Sequence, residues 1–95
     1  MTIFRVVKKK QTDYPTSDRM CGHTYATNGL QVYVVANTRE VNGERVFKLI
    51  PVIGSKGICT RLDKEFTRSE LLDSYEIYTA TDINDSKKLL KQLIA

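Results

Sequence analysis

Cys21 and His23 stand two apart, Cys59 lies further along, and thiolate with imidazole is the donor set that zinc favours. A closed structural site takes four ligands, and this chain has three cysteine or histidine side chains in all, so a carboxylate such as Asp18 would have to complete it. Neither the spacing of a zinc ribbon nor a fourth soft ligand is present, and no metal or cofactor is expected. Nucleophilic chemistry at Cys21 would need His23 on the same strand face to lower the thiol pKa, and a third group to orient the ring. A small domain that buries both residues leaves that thiol inert, so the simpler expectation is that Cys21 and His23 are inward residues of one strand. Gly54-Ser55-Lys56-Gly57 lacks the spacing of a phosphate loop and reads as a turn. Asp63 and Glu65 alternate among Arg61 and Lys64, which suits a solvated face better than a pair of catalytic acids. No enzymatic constellation emerges.

The remaining chemistry is charge and aromaticity. The 95 residues carry fifteen basic and eleven acidic groups, a net charge of +4. Residues 1–61 hold ten basic against four acidic groups, a net +6, while residues 62–95 hold five against seven, a net −2. Such asymmetry favours an anionic partner but says nothing about fold.

The elements that must position these groups follow from turns and periodicity. Residues 1–95 suffice for one α+β domain, whose 41% apolar composition is too high for a disordered chain. Asn42-Gly43 separates Leu30–Val41 from Glu44–Ile53, both rich in β-branched and aromatic residues, and Asn-Gly tolerates the positive φ angles of a type I′ turn. A two-residue loop sets Glu40 opposite Arg45, Thr38 opposite Phe47, Ala36 opposite Leu49 and Val32 opposite Ile53. Val32, Val34, Ala36, Phe47, Leu49 and Ile53 then share an inward face. Asn28-Gly29 predicts a second tight hairpin, with Tyr25 opposite Val32, His23 opposite Val34 and Cys21 opposite Ala36. Ile58, Leu62 and Phe66 continue the inward face on a fourth strand, giving an antiparallel meander.

Thr67-Arg68-Ser69-Glu70 fits a capping box, with Phe66 and Leu71 at the positions of a hydrophobic staple, so a short helix is expected over Arg68 to Ser74. Glu76 to Thr79 returns as a strand with Ile77 inward. From Asp82 onward acids precede Lys87, Lys88 and Lys91, and Leu89, Leu90, Leu93 and Ile94 line one side of a C-terminal helix. Ile3 to Lys9 has strand-like composition, whereas Lys10 to Arg19 lacks periodicity and reads as a surface loop. In topology alone this order resembles an SH3-like barrel with an added C-terminal helix. An open sheet with both helices on one face fits as well.

The proposed register turns Gln31, Tyr33, Asn37, Arg39, Lys48 and Arg61 outward, with Lys8, Lys9 and Lys10 at a neighbouring strand end. Lysine and arginine would neutralise phosphates and Tyr33 would stack a base, so the expected function is a small non-catalytic domain that contacts nucleic acid or a nucleoprotein. Asp63 opposite Lys48 weakens that field, and nothing matches the motif of an RNA-recognition sheet. The alternative is a protein-directed inhibitor or adaptor of the kind mobile elements carry. It would act through a sheet edge, the loop with Tyr14, Asp18 and Arg19, or an apolar patch of Tyr33, Val35, Ile50 and Val52. No stretch approaches the roughly 20 apolar residues of a membrane span, and apolar residues precede Lys8 to Lys10, the reverse of a secretory signal. A cytoplasmic protein with no membrane partner is expected, and its cysteines are thiols rather than a disulfide.

Overall fold

The Asn42-Gly43 turn forms as its residue types require: both residues have positive φ, 53° and 80°, the left-handed pair that matches the twist of the flanking strands. The computed structural model describes residues 12–20, 22–53 and 62–94. In order these form β1 (His23–Thr27), β2 (Val32–Val41), β3 (Glu44–Pro51), β4 (Lys64–Thr67), α1 (Arg68–Ser74), β5 (Glu76–Ala80) and α2 (Ile83–Ile94). The strands make one antiparallel sheet in the order β4-β3-β2-β1-β5, so the meander is followed by a crossover through α1 to the far side of β1. The sheet is open: β4 and β5 are its two ends among the described residues. The expected first strand over Ile3–Lys9 and the Gly54–Gly57 turn lie outside the described residues, as do Cys21 and Cys59.

Near the turn the hairpin register is the expected one, with Val41 opposite Glu44 and Glu40 opposite Arg45. Beyond it the register departs. Arg39 lies opposite Val46 but Asn37 opposite Phe47, so Thr38 is an extra residue in β2, a β-bulge whose side-chain hydroxyl donates to the Val46 carbonyl at 2.7 Å. From there inward Ala36 faces Lys48, Val35 faces Leu49 and Tyr33 faces Pro51. The expected single inward face is therefore wrong. Phe47 and Leu49 share a side with Tyr33 and Val35, whereas Val32, Val34 and Ala36 lie on the other.

Both sides are covered, by different helices. Leu71 of α1 packs with Ala26, Tyr33, Val35, Phe47, Leu49 and Ile77. Leu89 and Leu93 of α2 pack with Tyr25, Val32, Val52, Tyr78 and Ala80. Because sequence neighbours such as Tyr25 and Ala26, or Ile77 and Tyr78, point to opposite faces of a strand, the helices lie on opposite faces and not together. Inside the α2 layer the Tyr25 hydroxyl and Ser86 Oγ are 2.6 Å apart, each satisfying the other where water is excluded.

The capping box is present as expected, with Thr67 Oγ1 accepting from the Glu70 N–H and Glu70 Oε1 accepting from the Thr67 N–H. Phe66, the residue before the cap, packs into the Leu71 cluster. The second hairpin is looser than expected: Thr27 pairs with Val32 and Tyr25 with Val34, leaving a four-residue loop. Asn28 Oδ1 accepts from the Leu30 and Gln31 N–H groups and holds that loop.

Residues 12–20, which include the described part of the expected surface loop, form a strap around the β5 edge. Tyr14 packs into the α2 layer and donates its hydroxyl to the Asp85 carbonyl at 3.1 Å. Thr16 bridges Tyr78, and the Ser17 N–H donates to the Ile77 carbonyl at 2.7 Å. Met20 then packs into the α1 layer on the other face.

Candidate binding face

The bulge at Thr38 decides where the basic and aromatic residues of the expected site go. Arg39 and Lys48 do share one face, because Arg39 aligns with Val46, two residues before Lys48. Tyr33 is on the opposite face, 8% exposed, with its ring edge-on to Tyr75 at a centroid separation of 5.8 Å. Burial, and then the neighbouring Tyr75, raise its pKa above the ordinary tyrosine value. A ring held this way offers no face for stacking. Gln31 is also buried, its amide donating to the Val32 and Val52 carbonyls at 3.0 and 2.7 Å. Lys8, Lys9, Lys10 and Arg61 lie outside the described residues.

The two cations that do meet are each joined to an acid of the β4 side. Arg39 reaches Glu65 at 3.1 Å and Lys48 reaches Asp63 at 3.2 Å. Register explains this: Glu65 lies directly opposite Lys48, so the acids fall on the same face as the bases. At the hairpin end Arg45 holds Glu40 at 3.3 Å. The four charges Arg39, Lys48, Glu65 and Asp63 cancel, and the face has no excess field from these groups with which to gather phosphates.

Between the ion pairs the same face is apolar. The α2 helix covers its β1–β5 half, and Val34 lies at the margin of that layer. Further out, Val34, Ala36 and Ile50 remain half-buried, and Val41 is 40% exposed. The hairpin from Arg39 to Arg45 is exposed throughout, and none of its residues belongs to either helix's apolar cluster. The expected apolar patch is thus divided: Tyr33 and Val35 belong under α1, Val52 under α2, and Ile50 alone of the four lies on the part of this face beyond α2.

His23, expected inward, is half-buried at the start of β1, opposite Ala80. Asp18, the conceivable fourth metal ligand, faces Arg68 at 3.5 Å. No group of three or more metal-ligating side chains occurs among the described residues. Likewise, among these residues no helix is long and apolar enough to cross a membrane. Comparison with protein-family models, with curated proteins and with solved structures gave no match to this chain.

Proposed function

We propose that this chain is a non-catalytic binding domain for a protein partner, an adaptor or inhibitor working in the cytoplasm, that docks on the β2–β3–β4 half of the face left open by α2. One observation carries this reading: Val34, Ala36, Ile50, Val46 and Val41 share one face by register, and the cations among them, Arg39 and Lys48, are already matched by Glu65 and Asp63. An apolar face whose charges are self-neutralised suits a protein surface, since desolvating it strands no lone charge. The exposed hairpin extends this face for a partner to grip. Nucleic-acid contact, the other reading, would rest on Lys8, Lys9, Lys10 and Arg61.

The test is affinity capture from lysate at low and high salt, with and without nuclease, using the wild-type chain beside Val41→Lys and Ala36→Glu. For a protein partner the retained species survives nuclease and high salt and is lost with either substitution, while circular dichroism stays unchanged. Retention that vanishes with nuclease, or falls steeply with salt and ignores both substitutions, removes this proposal in favour of phosphate contact.

A further inference from the structure

Where the strap crosses from the β5 edge toward β1, Arg19, His23, Ser17 and Thr81 line a groove of about 530 Å³, within the size range of small-molecule sites. Its arginine is unlike the other arginines among the described residues. Arg39, Arg45, Lys48 and Arg68 each face a carboxylate. The Arg19 guanidinium and the His23 imidazole have no hydrogen-bond or ion-pair partner among the described residues. Their backbones, by contrast, are fixed. The Arg19 N–H donates to Ser17 Oγ at 3.0 Å, its carbonyl accepts from Thr79 Oγ1 at 2.7 Å, and His23 is paired to Ala80 in the sheet.

The donors share one groove, and no carboxylate is among its described lining residues. Ser17 Oγ accepts from Arg19 and keeps its own proton to give. Thr81 Oγ1 donates to Asp85, which directs that carboxylate at the hydroxyl, and Asp18 is directed at Arg68. Pro15 and Ala80 add apolar wall. Gly22 in the same lining has φ +64°, and a Cβ built there would meet nothing within 4 Å, so backbone geometry and not crowding selects glycine and leaves room for a ligand beside it.

We propose that this groove binds a phosphomonoester with a small apolar body, Arg19 gripping two phosphate oxygens and His23 and Ser17 supplying N–H and O–H donors to the remainder. Three donors on separate residues match the three peripheral oxygens of a phosphate, whereas a carboxylate would use the guanidinium fork alone. The site is separate from the docking face, and either can fail without the other.

The test is an amide NMR titration of the whole chain with phenyl phosphate, inorganic phosphate and benzoate, each against sodium chloride at matched ionic strength. Phenyl phosphate is expected to shift Arg19, Gly22, His23 and Thr79 to Thr81, with a Kd on the order of 1 mM. Inorganic phosphate should move the same amides at higher concentration, and benzoate should bind most weakly. Arg19→Ala should weaken phenyl phosphate about tenfold or more, Arg19→Lys should fall between it and wild type, and Arg39→Ala should change nothing. Unaltered affinity in Arg19→Ala, benzoate binding as well as phenyl phosphate, or shifts spread equally over Lys87, Lys88 and Lys91 would each overturn the proposal.

Discussion

Thr67 and Glu70 satisfy each other's backbone N–H groups at the start of a helix of seven residues, too short to persist through its own hydrogen bonds. Thr67→Ala should therefore cost about 1 kcal/mol in a denaturant titration, the usual value for a lost cap. The Glu70 carboxyl lies below its ordinary pKa because its charged form accepts from the Thr67 N–H and hydroxyl. The sign follows: a depressed carboxyl stabilises the fold fully above its unfolded pKa, and that contribution disappears as pH falls through the lower folded value. Glu70→Gln should flatten the acid limb of the stability curve relative to wild type. An identical acid limb in the variant would mean that the helix start owes nothing to this carboxylate.

At the scale of elements, the β2–β3 hairpin shows how one extra residue reassigns a whole face. The turn at Asn42-Gly43 fixes Glu40 against Arg45, while the core under α1 needs Tyr33 and Val35 on the same side as Phe47 and Leu49. A strict two-residue register cannot give both, and the bulge at Thr38 reconciles them. Deleting Thr38 removes only the unpaired residue and leaves every other pair intact. That variant should fold with the same Asn37–Phe47 and Arg39–Val46 contacts by nuclear Overhauser effects, at a cost of about 1 kcal/mol for the lost bond to Val46. Deleting Lys48 should abolish folding, because β3 has no spare residue and either Phe47 or Leu49 must change sides. The same contrast separates what was legible in the sequence from what was not. The Asn-Gly turn, the capping box and the α2 stripe are local, and each was readable from a few adjacent residues. Val32 to Ala36 is apolar at every position except the Tyr33 hydroxyl, so period-two reasoning could not say which side faced which helix, and this unbroken run was itself the sign that both faces are covered. Tyr33 entered the expected site through that ambiguity. The pairing of Arg39 and Lys48 with acids was only partly readable: Asp63 was expected opposite Lys48 and is its ion-pair partner, but Glu65 holds that register position and reaches Arg39, which lies on this face in either register.

For the molecule as a whole, two apolar layers on opposite faces of one sheet meet at the β5 edge, where the strap carries Tyr14 into one and Met20 into the other. The far edge is managed differently, by a strand of only four residues with Lys64 and Glu65 exposed. The strap lacks periodicity because it crosses layers instead of lying in one, which is why composition alone made it a loop. Its attachment depends on a titratable group. Burial first, and then the Asp85 carboxylate with Asp82 and Asp13 behind it, raise the Tyr14 pKa above its ordinary value of 10.0. Folding thus favours the neutral phenol: the contribution is complete below pH 10 and is lost as pH rises through the elevated folded value. Ionised Tyr14 can no longer donate to the Asp85 carbonyl, and its charge repels the three acids. Tyr14→Phe, which also lacks the donor but never ionises, should retain stability to higher pH than wild type on the alkaline limb while being less stable near neutrality. Tyr14→Ala tests the attachment itself. At neutral pH its Ser17 amide, bonded to the Ile77 carbonyl, should exchange with solvent faster, while the Ala26 amide in the central ladder keeps its protection. Equal acceleration at both positions would instead make the strap part of the global unfolding unit, and Tyr14 a core residue rather than a clasp on one edge.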